Sequence, residues 1–335
     1  MSTTWQGAGI IGIGSCVPEK VLTNFDLEKI VDTTDEWIVT RSGIRARRIV
    51  EEGVAASDLA TEAARRALES ASVSPEELDL IICATITGDM PFPATSCLIQ
   101  DRLGAKNAGA FDLQAGCSGW VYALSVATQF VQTGVYQRVL VIGVDVLTSV
   151  TDWTDRSTCV LFGDAAGATV IGPTSSDNGI LSIHLGADGS GGDLLKIDAG
   201  GSRMPATEET VRQRLHYIKM NGREVFKFAV RIMSEASIKA LDACGLTTND
   251  VDLFVPHQAN IRIIEAAAER LNIPSDKVFV NVQNYGNTSA ASIPLALDEA
   301  YRFGRIKPGD VVVVVGFGAG LTWASSVLKW ILPLN

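Results

Sequence analysis

The chain contains one pattern twice, and this internal repeat limits the possible folds more than any other feature. The segment EAARRALESASVSPEELDLIICA begins at residue 62, and the similar EASIKALDACGLTTNDVDLFVPH begins at residue 235, an offset of 173 residues. The same offset places Gly143 of VLVIGV on Gly316 of VVVVVG without a gap. Length alone allows one large domain or two smaller ones. The repeat favours two similar halves, residues 1–173 and 174–335, over two unrelated domains.

Each half is predicted to contain the same order of elements. An amphipathic helix leads through an acidic turn into a buried strand, and a second helix leads into another apolar strand. The predicted helices cover 56–71, 118–133, 229–243 and 290–303, and the predicted strands cover 78–84, 138–145, 251–256 and 310–316. Strands rich in Val, Ile and Leu that alternate with helices are typical of parallel sheets covered on both faces. We therefore expect two α/β halves related by a pseudo-twofold axis.

Composition and charge narrow the class of protein. A net charge of −10 disfavours nucleic acid as a partner, and an acidic partner would need a local basic patch. No apolar run approaches the ~20 residues of a membrane span, and the first residues do not have the pattern of an export signal. The six cysteines have no CxxC spacing, which argues against a zinc site and a disulfide framework. We expect a cytoplasmic protein without a metal site.

Cys117 is the predicted nucleophile. It lies in QAGCSGWVYAL, residues 114–124, between small residues at the predicted start of a helix. The offset places Cys117 on Ala290, so only the first half has a thiol at this position. Helix N-terminal amides stabilise an anion by roughly 0.3 to 2 kcal/mol, which lowers a thiol pKa. Gly116 and Gly119 leave room for an acyl group, although a small core residue is the commoner use of cysteine.

His257 and Asn287 are the predicted partners of this thiol. His257 ends the buried strand of VDLFVPHQAN, at the sheet edge where α/β proteins bind ligands. Asn287, in NYGNTSAAS, precedes the second-half helix, and the offset places it on Gln114, near the cysteine. Each motif alone could be a helix cap. Together they predict that Cys117, His257 and Asn287 meet across the pseudo-twofold axis.

Longer motifs are similar to those of a known family. The segments TDEWIVTRSGIRAR, QAGCSG, FGDAAGA, PHQANIRI, GNTSAAS and GFGAGLTW resemble the β-ketoacyl-acyl carrier protein synthase III enzymes of the thiolase superfamily, over essentially the whole chain. The resemblance implies a duplicated thiolase-like fold in five layers (α-β-α-β-α). It also implies an acyltransferase that initiates type II fatty acid synthesis without a cofactor.

The implied reaction has two steps. Cys117 takes a short acyl group, with acetyl expected, from acyl-CoA. Malonyl on acyl carrier protein then loses CO2 and attacks the acyl thioester, and His257 and Asn287 stabilise the negative charge on the malonyl thioester oxygen. The products are 3-oxoacyl-acyl carrier protein and CO2. A related thiolase-fold condensing enzyme of secondary metabolism is the alternative.

The resemblance also implies roles for further residues. The backbone N–H groups of Cys117 and Ala319 form an oxyanion hole, with Ala319 at a position where the family often has glycine. The CoA-binding residues are Trp37 and Arg156, which sandwich the adenine, with Arg41 nearby and Gly222 at the pantetheine tunnel. Phe92 closes the acyl pocket of the partner subunit in an expected homodimer.

A basic stripe is the candidate docking surface for the acidic carrier protein. Arg223, Lys227 and Arg231 recur every four residues, which places them on one face of a helix. We expect Gln258 and Arg262 to extend this surface. A solvated helix face explains the same pattern about equally well.

The sequence disfavours three other classes of protein. A dinucleotide-binding oxidoreductase is disfavoured because Pro18 follows GIIGIGS where a helix is needed, and because LTWASSVLKW after GFGAG is typical of a strand. A thiolase would need a second cysteine near the C-terminus, and no cysteine follows Cys244. A catalytically silent binding module would have no need of the three site residues.

Overall fold

The computed structural model describes residues 6–333. Residues 1–5, where the export prediction begins, and the outer ends of the two predicted halves lie outside this range. The strands are β1 (Gly7–Cys16), β2 (Val21–Thr23), β3 (Ala46–Arg48), β4 (Leu80–Ala84), β5 (Gly109–Leu113), β6 (Val139–Val146), β7 (Asp164–Thr174), β8 (Gly179–Ala187), β9 (Leu195–Lys196), β10 (Lys219–Met220), β11 (Leu253–Pro256), β12 (Val311–Gly318) and β13 (Thr322–Lys329). The α-helices are α1 (Asn24–Leu27), α2 (Asp35–Ser42), α3 (Ala56–Ala71), α4 (Thr95–Leu103), α5 (Gly119–Gln132), α6 (Arg156–Cys159), α7 (Glu208–Arg212), α8 (Gly222–Ala243), α9 (Ile261–Arg270), α10 (Val282–Tyr285) and α11 (Ser292–Arg302).

Two large sheets have the same strand order. The first is β1-β7-β6-β4-β5, and the second, in the corresponding direction, is β8-β13-β12-β11. The offset of 173 residues places β1 on β8, β4 on β11 and β6 on β12, so the sequence repeat is also a repeat of topology. The first sheet has one additional edge strand, β5. The domain boundary after residue 173 stays a prediction.

The sheets are mixed, whereas the sequence predicted parallel sheets. Strand β4 is parallel to β5 and β6, and β11 is parallel to β12. Strand β7 is antiparallel to β1 and β6, and β13 is antiparallel to β12 and β8. Only three residues, 319–321, connect β12 to β13, which is too short for the crossover that a parallel pair requires.

The helices and the two sheets pack in five layers, with hydrophobic clusters between them. Helices α3 and α4 pack on the outer face of the first sheet through Leu68 and Ile99, and α8 and α9 cover the outer face of the second through Met233. Helices α5 and α11 lie between the sheets, where Trp120 and Leu297 belong to one buried cluster. This α-β-α-β-α arrangement confirms the predicted fold class.

The helices begin close to where the sequence predicted them, except α8. Helix α3 has the predicted bounds, whereas α8 starts at Gly222, seven residues before the predicted start at residue 229. The Asn221 side chain accepts a hydrogen bond from the Glu224 N–H at 3.4 Å and caps this longer helix. The earlier start brings Gly222 and Arg223 into α8.

Two further features of residues 6–333 concern membrane spans and metal sites. No helix in this range combines the length and apolar character that crossing a membrane requires. The same residues contain no group of three or more His, Cys, Asp or Glu side chains that could hold a metal ion.

Candidate active site

Cys117 lies in a tight turn that both halves hold in place. The turn is a 3-10 helix, Gly116–Ser118, that leads directly into α5. Gly116 has a φ of 53°, a left-handed conformation that glycine adopts without steric cost. The hydroxyls of Ser118 and Thr322 each contact the Ala115 carbonyl oxygen at 2.8 Å. Because Thr322 begins β13, the second half fixes the turn that carries the first half's thiol.

The backbone nitrogen of Cys117 packs closely against Gly318. A Cβ atom at Gly318, the last residue of β12, would lie 2.4 Å from the Cys117 nitrogen. The offset places Gly318 on Asp145 and Cys117 on Ala290, and the Asp145 carboxylate accepts a hydrogen bond from the Ala290 N–H at 3.2 Å. One copy of the turn therefore has its amide bound to a carboxylate, and the other has glycine in place of that carboxylate. The copy with the glycine is the one that carries the thiol.

The surroundings of Cys117 favour the neutral thiol. Burial raises the pKa of Cys117, the nearby Ser289 hydroxyl lowers it and the Asp145 charge raises it, which together give a pKa of about 12. The net direction is opposite to the lowered pKa that the helix N-terminus was expected to produce. Desolvation of the sulfur outweighs the stabilisation that the helix amides can supply.

His257 is buried at the end of β11. Its backbone N–H donates to the Val315 carbonyl at 2.8 Å, which keeps it in register with β12. Its ring packs edge-on against Phe317, with 5.4 Å between the ring centroids. Ring atom Nδ1 lies 2.6 Å from Ser292 Oγ. Burial lowers the pKa of His257 to about 3, so the imidazole is neutral at pH 7.

Asn287 is fixed by its backbone and by one side-chain atom. Its N–H donates to Leu161 at 2.8 Å, and its carbonyl accepts from the Gly163 N–H at 3.0 Å. Its side-chain Oδ1 accepts from the Ser289 N–H at 2.8 Å. Since the oxygen is engaged, the Nδ2 amide is the group left to donate to a ligand.

Cys117, His257 and Asn287 line one cavity of about 220 Å³. Trp37, Arg41 and Gly222 line it as well. The structure thus brings a thiol and two hydrogen-bonding side chains from opposite halves to the same space. Their catalytic roles stay predictions, since geometry alone does not test them.

A second cavity, of about 240 Å³, meets the first at Cys117. Ala319 lines it, and its apolar lining residues are Ile86, Leu147, Phe162, Leu195, Ile197 and Ile218. Phe92 does not line either cavity of its own chain and is 84% exposed. The predicted contact of Phe92 with a partner's pocket therefore stays a prediction.

The predicted adenine site is closed. The Arg41 guanidinium lies 4.7 Å from the centre of the Trp37 ring, and that of Arg156 lies 5.0 Å from it. A purine between Trp37 and Arg156 needs about 7 Å, which is two carbon contact distances. Arg156 also donates a hydrogen bond to the Asp32 carbonyl at 2.8 Å. Arg156 must therefore swing away before a purine can stack on Trp37.

The predicted basic stripe is exposed on α8 and beside it. Its cations are Arg223, Lys227, Arg231 and Arg262. Lys227 lies 2.8 Å from Glu224 and Arg231 lies 3.3 Å from Glu235, so two of the four charges are partly compensated. Arg262 stacks on Phe226, a residue of the first cavity, at 5.6 Å. Arg262, at least, therefore lies beside that cavity.

The prediction that Gln258 docks the carrier protein was wrong. Gln258 is 1% exposed. Its Nε2 donates to the carbonyls of Pro256 and Phe279, and its Oε1 accepts from the N–H groups of Asn281 and Val282. All of its side-chain polar atoms are engaged with backbone, so this residue holds the segment before Asn287 and cannot reach a partner.

Sequence reasoning missed three residues that contact the site. Ser289 lies beside the thiol, Ser292 contacts the His257 ring, and Phe317 packs on that ring. The repeat could have identified the two serines, since the offset places them on Gly116 and Gly119. Phe317 gives no such signal, because apolar residues fill most of β12.

The sequence and the fold are similar to those of known proteins. Residues 111–189 match the family model described as 3-oxoacyl-[acyl-carrier-protein (ACP)] synthase III, and residues 241–330 match the model of its C-terminal part. A curated β-ketoacyl-[acyl-carrier-protein] synthase III from Caldanaerobacter subterraneus subsp. tengcongensis is 61% identical to this chain. The alignment covers 96% of this chain and 98% of that protein. One from Clostridioides difficile is 57% identical, with 97% and 99% covered. The crystal structure of 3-oxoacyl-[acyl-carrier-protein] synthase III from Aquifex aeolicus VF5 is similar with a TM-score of 0.90 at 51% identity, over 97% of this chain and 100% of that one.

Proposed function

Because this chain belongs to the β-ketoacyl-[acyl-carrier-protein] synthase III family of acyltransferases, we propose that it moves a short acyl group from CoA to Cys117 and condenses it with malonyl-acyl carrier protein. The observation that supports these residue roles is the cavity shared by Cys117, His257 and Asn287. The secondary-metabolism alternative is not favoured, since curated relatives at 52–61% identity are named synthase III.

In the first step, the Cys117 sulfur attacks the carbonyl carbon of the acyl-CoA thioester. The new C–S bond replaces the bond to CoA, and the thiol proton leaves Cys117 and ends on the CoA sulfur. Because the resting thiol is neutral, proton loss must accompany attack, and the N-terminus of α5 stabilises the charge that develops on sulfur. The N–H groups of Cys117 and Ala319 donate to the carbonyl oxygen as it becomes an oxyanion.

In the second step, malonyl on the carrier protein loses CO2. The electron pair left behind forms an enolate, whose negative oxygen accepts hydrogen bonds from His257 and the Asn287 amide. Preorganised donors of this kind contribute roughly 2.7 to 4 kcal/mol each. The enolate carbon attacks the acyl-Cys117 carbonyl, the cysteine leaves as a thiolate, and a proton restores the thiol. A neutral imidazole suits this role, since it donates without bringing a full charge into a buried site.

The primer is proposed to be short, with acetyl preferred. The second cavity begins at Cys117 and is lined by apolar side chains, which suits an acyl chain rather than a charged group. Its volume of about 240 Å³ has room for a short acyl chain. Phe92 of a partner subunit would shorten the pocket further.

A homodimer is proposed on the basis of β5. This strand is an edge of the first sheet and pairs only with β4, so its other side is open to a second strand. Phe111 on β5 is 37% exposed, and Met90 and Phe92, in the loop before α4, are 48% and 84% exposed. The α4 N-terminus is tied to β5, since Asp112 accepts hydrogen bonds from the first N–H groups of α4. An apolar edge of this kind fits pairing with a second copy.

The remaining proposals concern partner, cofactor and location. The exposed cations Arg223, Lys227, Arg231 and Arg262 would bind acidic acyl carrier protein, with Arg262 beside the first cavity. The proposed chemistry uses protein groups and substrates alone and needs no cofactor. Six free cysteines, one of them the proposed nucleophile, suit the reducing cytoplasm.

The proposal is tested by supplying malonyl-acyl carrier protein with acyl-CoA primers from acetyl to longer and branched chains. We expect 3-oxoacyl-acyl carrier protein and CO2 in equal amounts, with the highest kcat/KM for a short primer. Absence of a 3-oxoacyl product with every primer would refute the proposed function, and a best primer longer than six carbons would refute the short pocket.

A further inference from the structure

The contact between Ser292 and His257 is not explained by the fold alone. Ser292 is the first residue of α11, and its Oγ lies 2.6 Å from His257 Nδ1. Both residues are 1% exposed. A buried contact of this length is a hydrogen bond, and either atom could be its donor.

The repeat indicates that the two side chains belong together. The offset of 173 residues places His257 on Ala84 and Ser292 on Gly119. A Cβ atom at Gly119 would lie 3.1 Å from the Cβ of Ala84, so these two positions are neighbours in the first half as well. One copy of the scaffold therefore has both the imidazole and the hydroxyl, and the other copy has neither. Packing alone does not require this pair.

Hydrogen-bond accounting determines the direction of the contact. Ser292 Oγ also lies 3.4 Å from the Gln258 N–H, to which it can only be an acceptor. If Nδ1 carried the proton, the serine oxygen would accept twice, and its own O–H would have no acceptor among residues 6–333. If the serine donates to Nδ1, the hydroxyl and both neighbours are satisfied. Buried polar groups strongly favour the satisfied arrangement.

We propose that Ser292 is a positioning residue that holds His257 as the tautomer with its proton on Nε2. The inference rests on the proposed function, because it assigns His257 a role in the malonyl step. With Nδ1 occupied as an acceptor, Nε2–H is the group that His257 presents to the cavity. His257 can then donate a hydrogen bond to an enolate oxygen, and it has no free lone pair to accept the Cys117 proton.

This assignment gives the two steps different catalytic groups. Acylation of Cys117 uses groups around the thiol and does not need His257 as a base. Decarboxylation needs the donor pair of His257 Nε2–H and Asn287 Nδ2. Loss of the Ser292 hydroxyl should therefore slow decarboxylation and leave acylation intact.

Nitrogen NMR on the full-length wild-type protein tests the tautomer without any activity assay. The chain has three histidines, so 15N-histidine labelling gives three sets of ring signals. A spectrum of His257→Ala identifies the set that belongs to His257. We expect a protonated Nε2 and an unprotonated Nδ1 at pH 7. A protonated Nδ1 would overturn the proposal.

The variant Ser292→Ala then tests the consequence. We expect the rate of malonyl decarboxylation to fall by at least about 10-fold with KM for malonyl-acyl carrier protein unchanged. Acetylation of Cys117, followed by intact mass, should stay within about twofold of wild type. The control is Ser237→Ala, which removes a buried hydroxyl bonded to the Met233 carbonyl in α8, away from the site. Equal loss in both variants, or equal loss of both steps in Ser292→Ala, would contradict the proposal.

These outcomes separate the inference from the proposed function. A wild-type protein that neither acetylates nor decarboxylates would refute the proposed function, whatever the spectrum shows. A wild-type protein that performs both steps but has its proton on Nδ1 would refute only the role of Ser292.

Discussion

Gly318→Ala should selectively impair acylation of Cys117. The added Cβ would lie 2.4 Å from the Cys117 nitrogen, 3.1 Å from the Gly116 carbonyl carbon and 3.2 Å from the Cys117 Cα. All three are backbone atoms of a turn that both halves hold, so none can move aside cheaply. The methyl group therefore either covers the Cys117 N–H or displaces it. Loss of one oxyanion donor costs roughly 2.7 to 4 kcal/mol, which is a fall of about 10² to 10³ in the acylation rate.

The assay is the time course of acetyl transfer from acetyl-CoA, followed by intact mass. Overpacking should also lower the free energy of unfolding by about 1–3 kcal/mol, so thermal unfolding is measured in parallel. Gly316→Ala is the matched control on the same face of β12, because its nearest contacts would be 3.2 to 3.3 Å away. We expect that variant to acylate within about tenfold of wild type. Wild-type acylation in Gly318→Ala, or equal loss in the two variants, would refute the proposed role of the Cys117 N–H.

Three further predictions concern other parts of the site. His257→Ala and Asn287→Ala should each lower malonyl decarboxylation by about 10² to 10³ while acylation changes little, as separate assays of the two steps will measure. Charge reversal at Lys227 and Arg231 together should raise KM for the carrier-protein substrate at least about fivefold and leave KM for acetyl-CoA unchanged. Alkylation of Cys117 by iodoacetamide, measured by peptide mass spectrometry, should keep rising about tenfold per pH unit from pH 7 to 9, because the thiol pKa is raised to about 12 and the thiolate fraction grows throughout that range.

Each of these predictions has a contrary outcome. Equal loss of both steps in either alanine variant would contradict the assignment of His257 and Asn287 to decarboxylation and not to acylation of Cys117. For the docking stripe, the control is reversal of Arg305 and Lys307, exposed cations just before β12, at the opposite end of that strand from the site. An equal effect of the two double reversals on KM would mean that the α8 stripe is an ordinary solvated helix face without a docking role. A plateau in alkylation below pH 9 would mean that Cys117 is ionised at rest.

The repeat made most of the fold predictable. Its hydrophobic pattern gave α3 with the observed bounds, and the offset related the two turns at Gly116 and Ser289, which share left-handed φ values of 53° and 49°. Strand direction was less accessible, because an apolar strand has the same pattern whether its neighbour is parallel or antiparallel. Only the short link between β12 and β13 could have indicated the antiparallel pair.

The sequence allowed the residues of the site to be predicted, but not their burial, ionisation or contacts. The ionisation state of Cys117 depends on how completely other elements enclose the sulfur, and local sequence reports only the helix that follows it. Gln258 looked available for a partner because glutamine is usually exposed, whereas backbone groups from a distant segment surround its amide. The stacking of Arg156 on Trp37 likewise joins elements far apart in the chain.

The central claim is that one sulfur atom, in one copy of a duplicated scaffold, carries the acyl group. Incubation of the native protein with acetyl-CoA, followed by intact mass and peptide mapping, tests it most directly. We expect a single added acetyl group on Cys117, removed by malonyl-acyl carrier protein and absent from Cys117→Ser. An acetyl group on another residue, or the same adduct in Cys117→Ser, would contradict it.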